Sequence, residues 1–181
     1  MQKLAVVYFP KITSDKINNF RRKYDPVWKI IPPHITIVSP ISEVSESQLV
    51  KHVETVIKNF TSFSIYLTGL TKTYDDYLFL LVKEGNKEIL NLHNKLYSGV
   101  IAPYMPTDFP FVPHITLGYF RTKEDNFDNE LYVKAYAEAQ NLHFDTNCKF
   151  DAISVIKGDG LSPARIVKVI NLLSSRFKAV P

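Results

Sequence analysis

The sequence predicts an α+β fold built from two similar halves, and three observations lead there. Strand-like apolar runs recur along all 181 residues and alternate with stretches of helical periodicity. The tetrapeptide Pro-His-Ile-Thr occurs twice, within "PPHITIVSP" at 32–40 and within "VPHITLGYF" at 112–120. No low-complexity linker separates the two copies, so a single bilobal domain over residues 1–181 is expected.

The elements follow in order. Residues 3–9, "KLAVVYF", are apolar and β-branched, and Pro10 closes the run. A helix over 14–24 places Ile17, Phe20 and Tyr24 on one stripe, with Thr13 or Ser14 as its cap. The run 34–41 is a proline-bracketed strand carrying the first motif. Residues 46–59 place Leu49, Val53, Val56, Ile57 and Phe60 at helical spacing, and Ser45 with Gln48 forms a capping-box pattern. Residues 62–70 and 76–83 read as a hairpin. Residues 87–98 are helical, with Ile89, Leu92, Leu96 and Val100 apolar. The second motif strand spans 111–120 and is preceded by the proline-rich 102–113, the best candidate for a mobile loop. An Ala-rich helix over 129–141 and a second hairpin of 150–158 with 164–173 complete the chain.

Composition narrows the class. Hydrophobic residues make up 45% and charged residues 22%, as in ordinary soluble domains. The net charge of +4 suits a phosphate-bearing ligand without demanding one. The one dense basic cluster, Arg21-Arg22-Lys23, reads as a solvated helix face. The single cysteine, Cys148, cannot form an internal disulfide, and the apolar start is too short for a signal peptide. No stretch reaches membrane-spanning length, so a cytoplasmic protein is expected.

Side chains alternate across a strand, so His34 and Thr36 share one face while Ile35 anchors the other, and His114, Ile115 and Thr116 repeat the arrangement. Gly118 continues the second polar face and would let a ligand approach the backbone. If the two strands lie side by side about a pseudo-twofold axis, two imidazoles and two hydroxyls converge. That set suits in-line displacement at phosphorus. One neutral imidazole takes a proton from the attacking oxygen and the other, as imidazolium, protonates the leaving oxygen. The hydroxyls donate to the non-bridging oxygens. Zinc is the competing reading of two histidines, but no carboxylate or cysteine lies near either motif to complete its ligands. His93 reads as a satisfied core histidine, His52 as solvated and His143 as part of a polar face.

On these residues the chain resembles the 2H phosphoesterase superfamily, in particular the 2′-5′ RNA ligase-like, or cyclic phosphodiesterase-like, proteins. The family signature is two His-x-Thr/Ser motifs roughly 80 residues apart, each on a strand with apolar flanks. The resemblance implies two α+β lobes, each an antiparallel sheet with outer helices, and an active cleft between them. It implies opening of cyclic phosphates of nucleotides or RNA ends, or related 2′-5′ linkage chemistry, without a metal or other cofactor. The catalytic set it implies is His34, Thr36, His114 and Thr116. Many members carry an arginine three residues after the second threonine; here Tyr119 stands there, with Arg121 two further on. By strict alternation both point away from the His114 face.

Substrate contacts beyond the four are assigned to Tyr8, Tyr119 and Arg121, with Phe9, Tyr74 and Tyr77 as further stacking candidates whose competing role is core packing. The partner expected is a nucleotide cyclic phosphate or RNA terminus, bound by a monomer with no membrane and no obligate protein partner. A non-catalytic module that binds nucleotides or RNA ends through the same cleft is the alternative, and turnover separates the two.

Overall fold

The computed structural model of the protein describes residues 1–12, 15–73 and 75–174. The cap expected at Thr13 or Ser14 and the candidate Tyr74 lie outside the described residues. The elements run β1 (Lys3–Tyr8), α1 (Lys16–Tyr24), β2 (Ile35–Ile41), α2 (Glu46–Ile57), β3 (Phe63–Lys72), β4 (Tyr77–Glu84), α3 (Asn86–Leu96), a 3-10 helix (Gly99–Tyr104), β5 (His114–Tyr119), α4 (Asn129–Leu142), β6 (Thr146–Phe150), β7 (Ala152–Gly158) and β8 (Arg165–Asn171).

The strands form two antiparallel four-stranded sheets, ordered β2-β1-β7-β8 and β5-β4-β3-β6. The expected α+β class, bilobal with an antiparallel sheet in each lobe, is therefore what the chain adopts. Each motif strand is the edge of its own sheet, and these two edges meet. The chain builds the two lobes by exchange. Each half begins strand, helix, motif strand, helix; after α2 the chain crosses to the second sheet as β3, and after α4 it adds β6 to the second sheet before crossing to the first as β7. The first helices exchange too, α1 packing on β5 and α3 on β2. One apolar cluster, from Leu4 and Val6 through Leu80 and Ile115, joins the inner faces of both sheets.

The helices form for the reasons their sequences give. Ser45 accepts from the Gln48 backbone N–H while its own N–H donates to the Gln48 side chain, so the capping box of α2 is present, and Leu49, Val53 and Ile57 face the core. In α1 the buried stripe is Ile17, Phe20 and Tyr24, as expected, together with Arg21. Arg21 corrects the reading of its basic cluster as a solvated face, because it sits four residues after Ile17 on the apolar side. His93 is buried, donates from Nδ1 to the Ile37 carbonyl and stacks on Phe111 at 3.8 Å, a satisfied core histidine as expected. His52 is half-buried rather than solvated, and its Nε2 donates to the Leu96 carbonyl at the end of α3.

Two features escape a sequence reading. The run 150–158 is not one strand. Phe150 pairs with Phe63 in the second sheet and Ala152 with Asn171 in the first, so the chain changes sheets at Asp151. The second feature is a pair of matched β-bulges. In β2 the pairing steps from Val7–Thr36 to Val6–Val38, and in β5 from Phe79–Thr116 to Leu78–Gly118. Each motif strand thus carries one extra residue directly after its threonine, which re-aims every later side chain.

The bulge also overturns the role expected of Gly118. It is buried, and a Cβ there would lie 2.8 Å from Phe120 Cζ and 3.0 Å from Tyr24 Cβ. The missing side chain makes room for α1 against β5, not for a ligand. Gly118→Ala should therefore lower stability by about 1–3 kcal/mol in urea unfolding through overpacking; an unchanged midpoint would mean the helix is free to shift.

Candidate active site

His34 directly precedes β2 and His114 begins β5. Ile35 and Ile115 have no exposed surface, which fixes the flanking histidines and threonines on the other side of each strand. All four polar residues are half-buried. The two imidazoles are held in the same way: Nδ1 of His34 donates to the Pro32 carbonyl at 2.9 Å, and Nδ1 of His114 to the Val112 carbonyl at 2.6 Å. A carbonyl only accepts, so Nδ1 carries the proton in both rings and Nε2 is left to exchange one. The rings are near enough that a charge on His34 disfavours one on His114.

Burial, chiefly, pushes both imidazoles below their ordinary value. His114 falls to about 4, with the neighbouring His34 adding to the shift. His34 is also lowered by the Arg21 charge, while Asp25 acts in the opposite sense. The settings differ. His114 lies flat on Phe79 at 3.4 Å and 12°, whereas His34 has only a tilted Phe9 at 6.2 Å.

His34, Thr36 and Thr116 line one cavity of 620 Å³; His114, two residues before Thr116 on β5, is not among its lining residues. Tyr119 lines it as well, against the alternation expected from sequence, because the bulge at Leu117 and Gly118 turns it to the Thr116 side. Its ring lies 4.6 Å from Tyr77, which shares the wall. Tyr8 is a correction: it pairs with Ile35, its ring is buried against Phe150 at 4.2 Å, and its hydroxyl donates to the Lys149 carbonyl, so it is a core residue. Arg121 is another. Its guanidinium is taken by Asp76 at 3.0 Å and Asp125 at 2.8 Å, outside this cavity.

Two cations do line the cavity, Lys3 and Arg21, and neither was singled out in the sequence as a site residue. Arg21 is the buried one. It is 2% exposed. Its Nε and Nη2 donate to Asp25 at 2.8 and 2.7 Å, and Nη2 also donates to the Ile31 carbonyl at 3.0 Å. Asp25 accepts in turn from the Val27 N–H. This pair ties the end of α1 to the segment 25–31 that leads into His34. Its i,i+4 spacing on the apolar stripe was the available signal. Among the described residues no group of three His, Cys, Asp or Glu side chains is set to hold a metal ion, and no helix is long and apolar enough to cross a membrane.

Comparison with known proteins decides the family. The sequence profile of the 2′-5′ RNA ligase superfamily matches residues 9–161. The chain belongs to this superfamily, the 2H phosphoesterases. A Bacillus licheniformis protein named "Putative phosphoesterase" is 31% identical over 131 residues, 70% of this chain and 76% of its own. A Geobacillus thermodenitrificans protein of the same name is 31% identical over 150 residues, 79% and 82% of the two chains. Among solved structures, a Thermus thermophilus protein superposes with a TM-score of 0.65 at 16% identity, covering 96% of this chain and 100% of its own. Escherichia coli LigT, in a complex with NADP+, gives 0.62 at 17% identity over 94% and 98%. These superpositions establish the 2H fold, and the family and relatives establish a phosphoesterase-type protein.

Removing one member of the buried Arg21–Asp25 pair leaves the other charge unpaired. Arg21→Met should lose about 3–5 kcal/mol in urea unfolding, and the Arg21→Met/Asp25→Leu double variant should regain most of it. Equal losses in single and double variants would mean that the hydrogen bonds to the 25–31 segment, not the charge, are what matters.

Proposed function

We propose that the protein opens 2′,3′-cyclic phosphates of nucleotides or RNA ends, or acts on the related 2′-5′ linkage, with His34 and His114 as acid and base. The matched Nδ1 bonds carry this reading, because they leave each ring one nitrogen for proton exchange across the same cleft. One Nε2 takes a proton from water as its oxygen bonds to phosphorus. The other gives its proton to the ribose oxygen as the bond from phosphorus to that oxygen breaks. The product is a ring-opened monoester, and the protons balance through the pair. Thr36 and Thr116 donate to the non-bridging oxygens, where charge grows in the transition state. Crystals of E. coli LigT hold 3′-AMP in one case and phosphate in another, which supports ligands of this class.

Phosphorus NMR of a 2′,3′-cyclic mononucleotide with the protein in EDTA tests the reading directly. Ring opening is expected from the wild type, with a loss of about 10²–10⁴-fold in His34→Ala and in His114→Ala. Binding without turnover in the wild type would leave the binding-module alternative standing.

The pH profile follows from the depressed histidines. The productive free enzyme carries one proton on the pair, and both imidazoles are shifted below 6.5. The optimum of kcat/KM should therefore lie on the acid side of 6.5 and fall as pH rises through 7 to 8. The kcat profile should sit at higher pH, since the bound phosphate anion favours the imidazolium. A kcat/KM optimum above 7 would contradict the assignment.

A further inference from the structure

Arg21 is buried and charged, and its donors are only partly used. A guanidinium carries five N–H groups. Here Nε and Nη2 both donate to Asp25 Oδ2, and Nη2 also donates to the Ile31 carbonyl. Nη1 has no partner among the described residues. Among those residues, no fully buried side-chain nitrogen or oxygen atom lacks a hydrogen bond. Nη1 is therefore not sealed in the core. The 2% of surface that Arg21 keeps includes this nitrogen, and the space that Arg21 lines is the cavity of His34, Thr36 and Thr116.

Packing puts the guanidinium there, not closeness to a motif in sequence. α1 lies against β5, the second motif strand, and the segment after α1 leads into His34. Arg21 thus stands where the two motif strands meet. Its charge is felt at His34, and that of Asp25 at both His34 and Tyr77, which lines the same cavity. Among the described residues no other cation is as well placed. Arg121 is held by Asp76 and Asp125 outside the cavity. Lys3 lies four residues before Val7, the partner of Thr36, which is about 13 Å away along β1.

Stability alone gives no reason for this arrangement, because well-packed apolar side chains commonly replace a buried ion pair without loss. A guanidinium held through two nitrogens and open at the third is suited to an oxyanion. We propose that Arg21 is a substrate-binding residue, its Nη1 donating to a non-bridging oxygen of the phosphate beside His34 and the two threonines. This rests on the reading of the histidine–threonine cleft as a phosphate site. Asp25 holds the guanidinium by its other nitrogens, so the donor is in place before the anion arrives.

Titration with inorganic phosphate tests this without turnover. It is followed by calorimetry and by the side-chain nitrogen resonances of protein labelled at arginine. In the wild type, phosphate should shift the Arg21 Nη1 resonance and slow the exchange of its protons with water. Arg21→Met/Asp25→Leu removes both charges together and should bind phosphate about 10–100-fold more weakly, as expected for one hydrogen bond to a charged group. The wild-type resonance decides the matter even if the double variant fails to fold. An Arg21 resonance unchanged at saturating phosphate overturns the assignment while leaving the phosphate site intact. So does a folded double variant that binds phosphate as the wild type does. Failure of the wild type to bind phosphate overturns the cleft reading, and the role of Arg21 with it.

Discussion

The burial of two isoleucines is the constraint on which the cleft depends. Ile35 and Ile115 have no exposed surface, and each sits between a histidine and a threonine on an edge strand. With that one side chain sunk in the core, the pleat leaves the polar neighbours on the opposite side. The meeting of the two edges then brings the polar sets together, and the carbonyls two residues upstream of each histidine fix its ring. Fold and candidate site are consequently specified by the same few residues.

Much of this was legible in the sequence. The doubled motif marked the two strands, apolar periodicity marked the helices, and Ser45 with Gln48 marked where α2 begins. What strict alternation could not give was the bulge after each threonine, since a bulge adds no distinctive residue and shows only as a shift in pairing. The direction of Tyr119 and the packing role of Gly118 both follow from it. Tyr8 and Arg121 were misplaced for a related reason: proximity to a motif in sequence does not fix which partner takes the side chain, and Phe150, Lys149, Asp76 and Asp125 took these. The short β6 was missed because "TNCKF" carries little apolar signal of its own and is a strand by virtue of pairing with β3.

The two halves are alike in backbone and unlike in lining. Rings crowd one side of the cleft and small aliphatic residues the other, while a buried ion pair stands at the first motif and an aromatic stack at the second. A duplicated scaffold can in this way give two equal histidines unequal surroundings, and acid–base chemistry needs that inequality because the two groups must hold different protonation states at the same moment.

The crossing of β3 and β7 between the sheets has a consequence for the order of events during synthesis. β1 pairs with β7, joining Lys3 to Gly158, so the first sheet cannot close until β7 has left the ribosome. At about 5–20 residues per second, β1 and β2 wait for several seconds or more beside an unfilled hydrogen-bonding edge. The second sheet, whose strands lie between residues 63 and 150, completes first and gives α1 a surface to dock on. The N-terminal motif strand, though made first, thus belongs to a sheet that is complete only when β7 and β8 have been made.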